Sequence, residues 1–220
     1  MWNSNECIAC GRCSELSCGA LQMSACEYSS KEVLDIVMRD QRYYSSSGGG
    51  VTFSGGEPML QFDFLKEMLK SAKEKQLHVC LETSGFAPTE HYMEIMEYVD
   101  LFLYDYKMTD NELHKKYTGV SNKLILSNLE MLNRGGAKII LRCIIIPTIN
   151  DNDEHFKAIG KLADMYEGIQ SVHIEPYHDM GNSKRVHLGE PLVLQELKIA
   201  DKKTKEEYLK KIITKKTCIL

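Results

Sequence analysis

The sequence predicts an α/β fold: a parallel sheet with helices packed outside it. Three observations carry that expectation. Strand-like and helix-like segments alternate along most of the chain, the pattern of a sheet whose successive strands are joined by helices. Glycine, charged and polar residues follow each strand-like run, at the carboxyl ends where parallel α/β sheets place their ligand sites. The chain has 220 residues, 43% hydrophobic and 26% charged, which suits an ordinary globular protein with one sizeable core.

The elements follow in order. Residues 30–40 carry Val33, Leu34, Ile36 and Val37 behind a serine cap and read as an amphipathic helix. Residues 45–50, three serines and three glycines, read as a flexible connector. Strand-like residues 51–53 precede a helix at 62–75, strand-like 77–81 a helix at 91–98, and strand-like 101–103 lies beyond that. A helix at 122–133 leads to the strongest strand, 138–146, closed by Pro147. A helix at 154–166 leads to strand-like 171–174, and the lysine-rich tail 192–220 reads as a surface helix with a frayed end.

The net charge of -4 argues against a polyanion-binding surface, although residues 202–216 are locally basic, so nucleic acid is not an expected partner. No run reaches the roughly 18 consecutive apolar residues of a membrane span, and the first residues lack the pattern of a signal peptide. A cytoplasmic protein with no membrane partner is expected. Five of the eight cysteines fall within the first 26 residues, which suggests metal binding more than disulfides. Cys80 and Cys143 sit in apolar strand-like runs and read as buried small hydrophobes.

The segments after the strands form a series: Ser54-Gly55-Gly56-Glu57-Pro58, Glu82-Thr83-Ser84-Gly85, Asp105-Tyr106-Lys107, Pro147 with Asn150 and Asp151, and Glu175-Pro176-Tyr177-His178. Adjacent glycines remove the side chains that would hold a ligand off the backbone, and a carboxylate beside bare peptide groups suits an ammonium-bearing ligand. Taken alone, Gly-Gly-Glu-Pro is also a tight turn, Lys107 a solvated charge, Asp105 a cap for a helix starting near Asn111, and His178 a loop histidine. Their coincidence at strand ends favours a site. His114, His155, His173 and His187 have no such context.

The longer string Ser46-Ser47-Gly48-Gly49-Gly50-Val51-Thr52-Phe53-Ser54-Gly55-Gly56-Glu57-Pro58 resembles the signature of glycyl-radical-enzyme activating proteins, a branch of the radical S-adenosylmethionine (SAM) enzymes. Leu81-Glu82-Thr83-Ser84-Gly85, Asp105-Tyr106-Lys107, the run from Tyr117 to Asn122, and Pro176-Tyr177-His178 with Gly181 are similar landmarks in the same order, from about residue 7 to residue 190. The resemblance implies a partial barrel of alternating strands and helices with the family's first strand missing. It implies that Gly55, Gly56 and Glu57 hold the methionyl amine of S-adenosylmethionine, with Asp105, Tyr106, Lys107 and His178 lining the rest. It also implies a glycyl radical enzyme as protein substrate and an electron donor such as flavodoxin or ferredoxin. In some relatives the region of Glu82, Thr83 and Asp105 takes a monovalent cation, which is left open here.

Cys7-Ile8-Ala9-Cys10-Gly11-Arg12-Cys13 has the spacing by which one loop wraps three corners of a cubane iron-sulfur cluster. A zinc ribbon would need a second CxxC pair, which the sequence lacks. Cys18 follows one place later than the ferredoxin pattern sets, with Gly19 where that pattern has proline, and Cys26 is a further candidate by proximity alone. By resemblance Cys7, Cys10, Cys13 and Cys18 are the second half of a two-cluster insert holding 4Fe-4S clusters. Residues 1–28 are thus expected to form a partial ferredoxin-like segment and 29–220 the barrel. No CxxxCxxC occurs among the eight cysteines, and the family carries that motif upstream of this region. Met1 is therefore read as an internal start, a split gene or a truncation, or else the chain is a variant without the chemistry. Two functions follow as expectations: activation of a glycyl radical enzyme by reductive cleavage of S-adenosylmethionine, impaired in this chain alone, or a non-catalytic S-adenosylmethionine- or iron-sulfur-binding partner of such an enzyme. A simple electron carrier is disfavoured by the large remainder.

Overall fold

A computed structural model describes residues 6–8, 10–23, 25–192 and 196–220. The start of the expected 1–28 segment and residues 193–195 of the tail lie outside them. Six strands are present among the described residues: β1 (Gly50–Phe53), β2 (His78–Thr83), β3 (Leu101–Tyr106), β4 (Ile139–Ile145), β5 (Ile169–Pro176) and β6 (Thr217–Ile219). Each pairs parallel with the next, in the order β1 to β6. The sheet is open, with β1 and β6 at its edges, as in a partial barrel.

Strand alternation separates the two faces. Val79, Leu81, Phe102, Tyr104, Ile139, Leu141, Val172 and Ile174 are buried in the core. Between them Glu82, Asp105, Arg142, His173 and Glu175 are half-buried on the inner face. The main helices behind the core are α4 (Phe62–Glu74), α5 (Thr89–Ile95), α7 (Lys123–Arg134) and α8 (Asp153–Met165). Their apolar stripes explain the placement: Leu65, Met68, Leu69 and Ala72 of α4 recur at three- and four-residue spacing and are all buried.

Four expectations are corrected. The helix at 30–40 is split into α2 (Ser30–Val37), begun by a Ser29–Glu32 capping box, and a 3-10 turn at Met38–Asp40. Residues 45–50 are not a connector. Helix α3 (Gln41–Ser47) runs into them, the Ser45 and Ser47 hydroxyls donating back to the Gln41 and Tyr43 carbonyls at 3.0 and 2.8 Å, and Gly48 ends it at φ 68. At Gly50 a Cβ would collide with the His78 carbonyl, so the edge strand needs glycine there. Strands β3 and β5 run on through Asp105-Tyr106 and Glu175-Pro176, which were expected just beyond them.

The tail differs as well: beyond the short α9 (Gly181–His187), α10 (Lys202–Lys211) buries Tyr208, and β6 then pairs with β5. At Gly160 of α8 a Cβ would strike the Ile213 carbonyl, so this glycine lets the tail backbone cross. Three strand residues are too few to show a period, which is why the tail reads as helix alone.

A buried asparagine fastens the loop after β2. Asn128 of α7 donates to the Gly85 and Ala87 carbonyls at 2.9 and 2.8 Å and accepts from the Thr89 hydroxyl at 2.6 Å. Asn128→Ala would strand two carbonyls and a hydroxyl, and a loss of about 3 kcal/mol in denaturant unfolding is the expected result. A loss under about 1 kcal/mol would show that water replaces the amide.

Candidate functional site

Ser54 to Pro58 leaves the end of β1 as an open turn. Gly55 sits at φ 139, and a Cβ on Gly56 would meet no atom within 4 Å. Beside the turn, against helix α4, lies a cavity of about 230 Å³ whose walls include Phe53, Gly55, Gly56, Phe64 and Met68; Asp105, Lys107 and His178 do not line it. Glu57 faces the protein. Its Oε1 accepts from the Met59 amide at 3.2 Å and the Thr83 hydroxyl at 2.8 Å, and its Oε2 from the Ser84 amide and hydroxyl at 2.8 and 2.5 Å. Thr83, its one proton committed to Glu57, accepts from the Tyr92 hydroxyl at 2.7 Å. Glu57 thus caps the 3-10 turn Pro58–Gln61 and laces the end of β1 to the end of β2.

The inner face carries a charged cluster drawn from four strands and one loop. Arg142 of β4 pairs with Glu82 of β2 through Nη1, lies 3.7 Å from Asp105 of β3, and reaches Glu175 of β5 through Nε at 3.4 Å. Lys107 Nζ pairs with the other Asp105 oxygen at 2.5 Å, and Ser54 donates to Glu82 at 3.0 Å. Burial opposes the charges of Arg142 and Glu82. The contacts prevail, and hydrogen bonding and attraction within the cluster raise the Arg142 pKa and lower that of Glu82. Asp105 Oδ1 is buried and accepts no hydrogen bond among the described residues.

Residues 10–163, more than half of the chain, match the family model of the radical SAM superfamily. Over 161 residues the chain is 40% identical to the trans-4-hydroxy-L-proline dehydratase activating enzyme of Clostridioides difficile, covering 72% of this chain and 53% of that protein. Over 190 residues it is 33% identical to the pyruvate formate-lyase-activating enzyme of Clostridium pasteurianum, covering 85% of this chain and 79% of that one. The chain belongs to the radical SAM superfamily, in its branch of glycyl-radical-enzyme activating enzymes. A crystal structure of a domain of pyruvate-formate lyase-activating enzyme from Bacteroides vulgatus shares the fold, with a TM-score of 0.64 at 24% identity, covering 78% of this chain and 99% of that one. The chain spans 53%, 60% and 57% of the length of three of the curated relatives it matches.

Radical SAM enzymes bind S-adenosylmethionine and a 4Fe-4S cluster. The residues present fit the first of these. Gly55 and Gly56 expose bare backbone to a cavity, and Asp105 and Lys107 share the carboxyl end of the same sheet. His178 stands exposed two residues past β5, on that same rim. Tyr106 does not offer its side chain to that rim. Alternation turns it away from Asp105 into the core, where its hydroxyl donates to Thr109 at 3.0 Å and its ring stacks on His155. Asp105 caps no helix either, because Asp110 does so for α6 (Asn111–Thr118). Arg142, at the centre of the cluster, escaped the sequence reading; an arginine inside an otherwise apolar strand was the available signal.

Among the described residues no cysteine triplet that could hold a catalytic cluster lies at the rim. Cys143 is fully buried on the helix side, its thiol pKa pushed well up by burial, and Cys80 and Cys218 are half-buried in β2 and β6. Cys7, Cys10 and Cys13 instead line a separate cavity of about 240 Å³ with Leu21, Met23 and His187. Cys18, expected beside them, is not part of that lining; it sits at φ 50 in the turn after α1 (Arg12–Leu16). No three His, Cys, Asp or Glu side chains among the described residues are placed to hold a single metal ion.

Below the loop after β3 lies a titrating group. His155 of α8 is buried, its Nδ1 bonded to the Thr109 hydroxyl at 2.7 Å and its Nε2 without a partner among the described residues, and burial pushes its pKa down to about 4. The unfolded chain takes up this proton near 6.5. The contribution to stability is therefore complete above pH 6.5 and lost as pH falls toward 4, about 3 kcal/mol in all. His155→Gln should remove that part of the acid sensitivity in urea melts at pH 7.5, 5.5 and 4.5. Parallel losses in variant and wild type would sink the assignment.

Proposed function

We propose that this chain is the S-adenosylmethionine-binding body of an enzyme that activates a glycyl radical enzyme. The observation that carries this reading is the open Gly55-Gly56 turn at the end of β1, with Lys107 and Asp105 at the carboxyl end of the same sheet. The bare peptide groups of Gly55 and Gly56 would receive the methionyl ammonium. Lys107 would face the carboxylate, and Asp105 and His178 would line the remainder. When bound, a reduced 4Fe-4S cluster supplies the electron for cleavage of S-adenosylmethionine in this family, a donor such as flavodoxin or ferredoxin restoring it. This chain's residues bind the sulfonium substrate, orient it and shield it from water.

The partner would present a glycine-bearing loop to the open side of the sheet. No helix among the described residues is long and apolar enough to cross a membrane; on this reading the protein lies in the cytoplasm and acts on a protein partner. The absence of a cysteine triplet at the described rim favours a second reading, a non-catalytic S-adenosylmethionine-binding partner. The test is to reconstitute the chain anaerobically with iron and sulfide, titrate S-adenosylmethionine binding, then add dithionite and quantify 5′-deoxyadenosine. Saturable binding with less than one equivalent of product is expected for the chain alone. Multiple turnovers would assign the catalytic cluster to Cys7, Cys10 and Cys13. Absence of binding would overturn the proposal.

A further inference from the structure

We propose that Arg142 is a positioning residue for S-adenosylmethionine, acting through the three carboxylates that surround its guanidinium. Its guanidinium spans Glu82, Asp105 and Glu175, each from a different strand. The register makes this convergence: Asp105 lies opposite Arg142, Arg142 opposite His173, and Glu175 is two residues on from His173. A planar guanidinium can serve several oxygens at once, which a lysine ammonium on a flexible stem does less well.

The inference rests on the proposed function and extends it. With Arg142 and Lys107 against three carboxylates, the cluster keeps an excess of one negative charge, because the neighbouring His173 is held neutral by burial at pH 7. That excess suits a ligand carrying a sulfonium and an ammonium. Without Arg142 the three carboxylates repel one another, with Lys107 as their remaining cation and Ser54 as a donor to Glu82. They would protonate at higher pH, and the field that orients the cationic ligand would fade as pH falls.

Arg142→Gln and Arg142→Lys test this, with S-adenosylmethionine titrated calorimetrically between pH 5 and 8. Wild-type affinity should be level from pH 5 to 7, below the range where the ligand's own ammonium loses its proton. In Arg142→Gln it should fall by about tenfold per pH unit on the acid side, as expected for one linked proton, and Arg142→Lys should restore much of the level profile. A uniform loss at every pH would mean a purely structural role and overturn the inference. Carboxyl titration followed by carbon-13 NMR without ligand gives a second readout. Unchanged carboxyl pKa values in Arg142→Gln overturn the inference even if binding is lost. No binding by wild type overturns the proposed function, and the positioning role with it.

Discussion

Gly56→Val is expected to abolish S-adenosylmethionine binding while leaving the fold intact. The two halves of that result come from one observation. A Cβ at Gly56 meets nothing within 4 Å, so the branched side chain has room in the protein and projects into open space, where the proposed ligand would lie. Stability should change by no more than about 0.5 kcal/mol, the range of substitutions that touch nothing. Affinity should drop at least about 100-fold, since the methionyl group could no longer approach the peptide backbone. Gly55→Ala is the contrasting control. At φ 139 that residue occupies a region side chains rarely adopt, so its substitution should cost stability, about 1–3 kcal/mol, as well as affinity. Calorimetric titration of the folded Gly56→Val protein with unchanged affinity would remove this turn from the site.

Glu57→Ala should be costly in another way. The sequence suggests a carboxylate offered to the ligand, whereas the structure commits all four of its acceptor positions to Met59, Thr83 and Ser84. Removing it releases two amides and two hydroxyls and unlaces the end of β1 from that of β2. Because the site is half-buried, water replaces part of the loss, and about 2–3 kcal/mol is expected, near 6 °C in melting temperature for a chain of this size. Glu57→Gln keeps an acceptor oxygen and should fall between wild type and Glu57→Ala. The decisive comparison uses a ligand analogue that lacks the amine. If Glu57 acts by holding the turns, both ligands lose affinity equally on Glu57→Ala; a loss confined to the amine-bearing ligand would return the carboxylate to direct contact.

Parts of this site are legible at the level of single segments. A glycine pair after a strand-like run marks the turn at Gly55-Gly56, and the alternation of segments implies parallel strands with their ends on one rim. Tyr106 shows the limit of that reading. It stands beside Asp105 in a contiguous string, but neighbours in a strand face opposite ways, and the strand continues further than its apolar run suggested. Residues Ser45 and Ser47 misled for a similar reason: they belong to a helix because their hydroxyls find carbonyls one turn back, which composition does not reveal.

The amino-acid sequence by itself determined the α/β class, the order of the main segments, the glycine turn and the cysteine spacing, because each is a local pattern with its own period or steric demand. Tertiary structure decided which face each strand residue takes, that β6 completes the sheet, that Glu57 is already saturated, and that Arg142 gathers three carboxylates. The physical reason is range. Residues 82, 105, 142 and 175 are far apart along the chain, and only the pairing register of four strands brings their charges within ion-pairing distance.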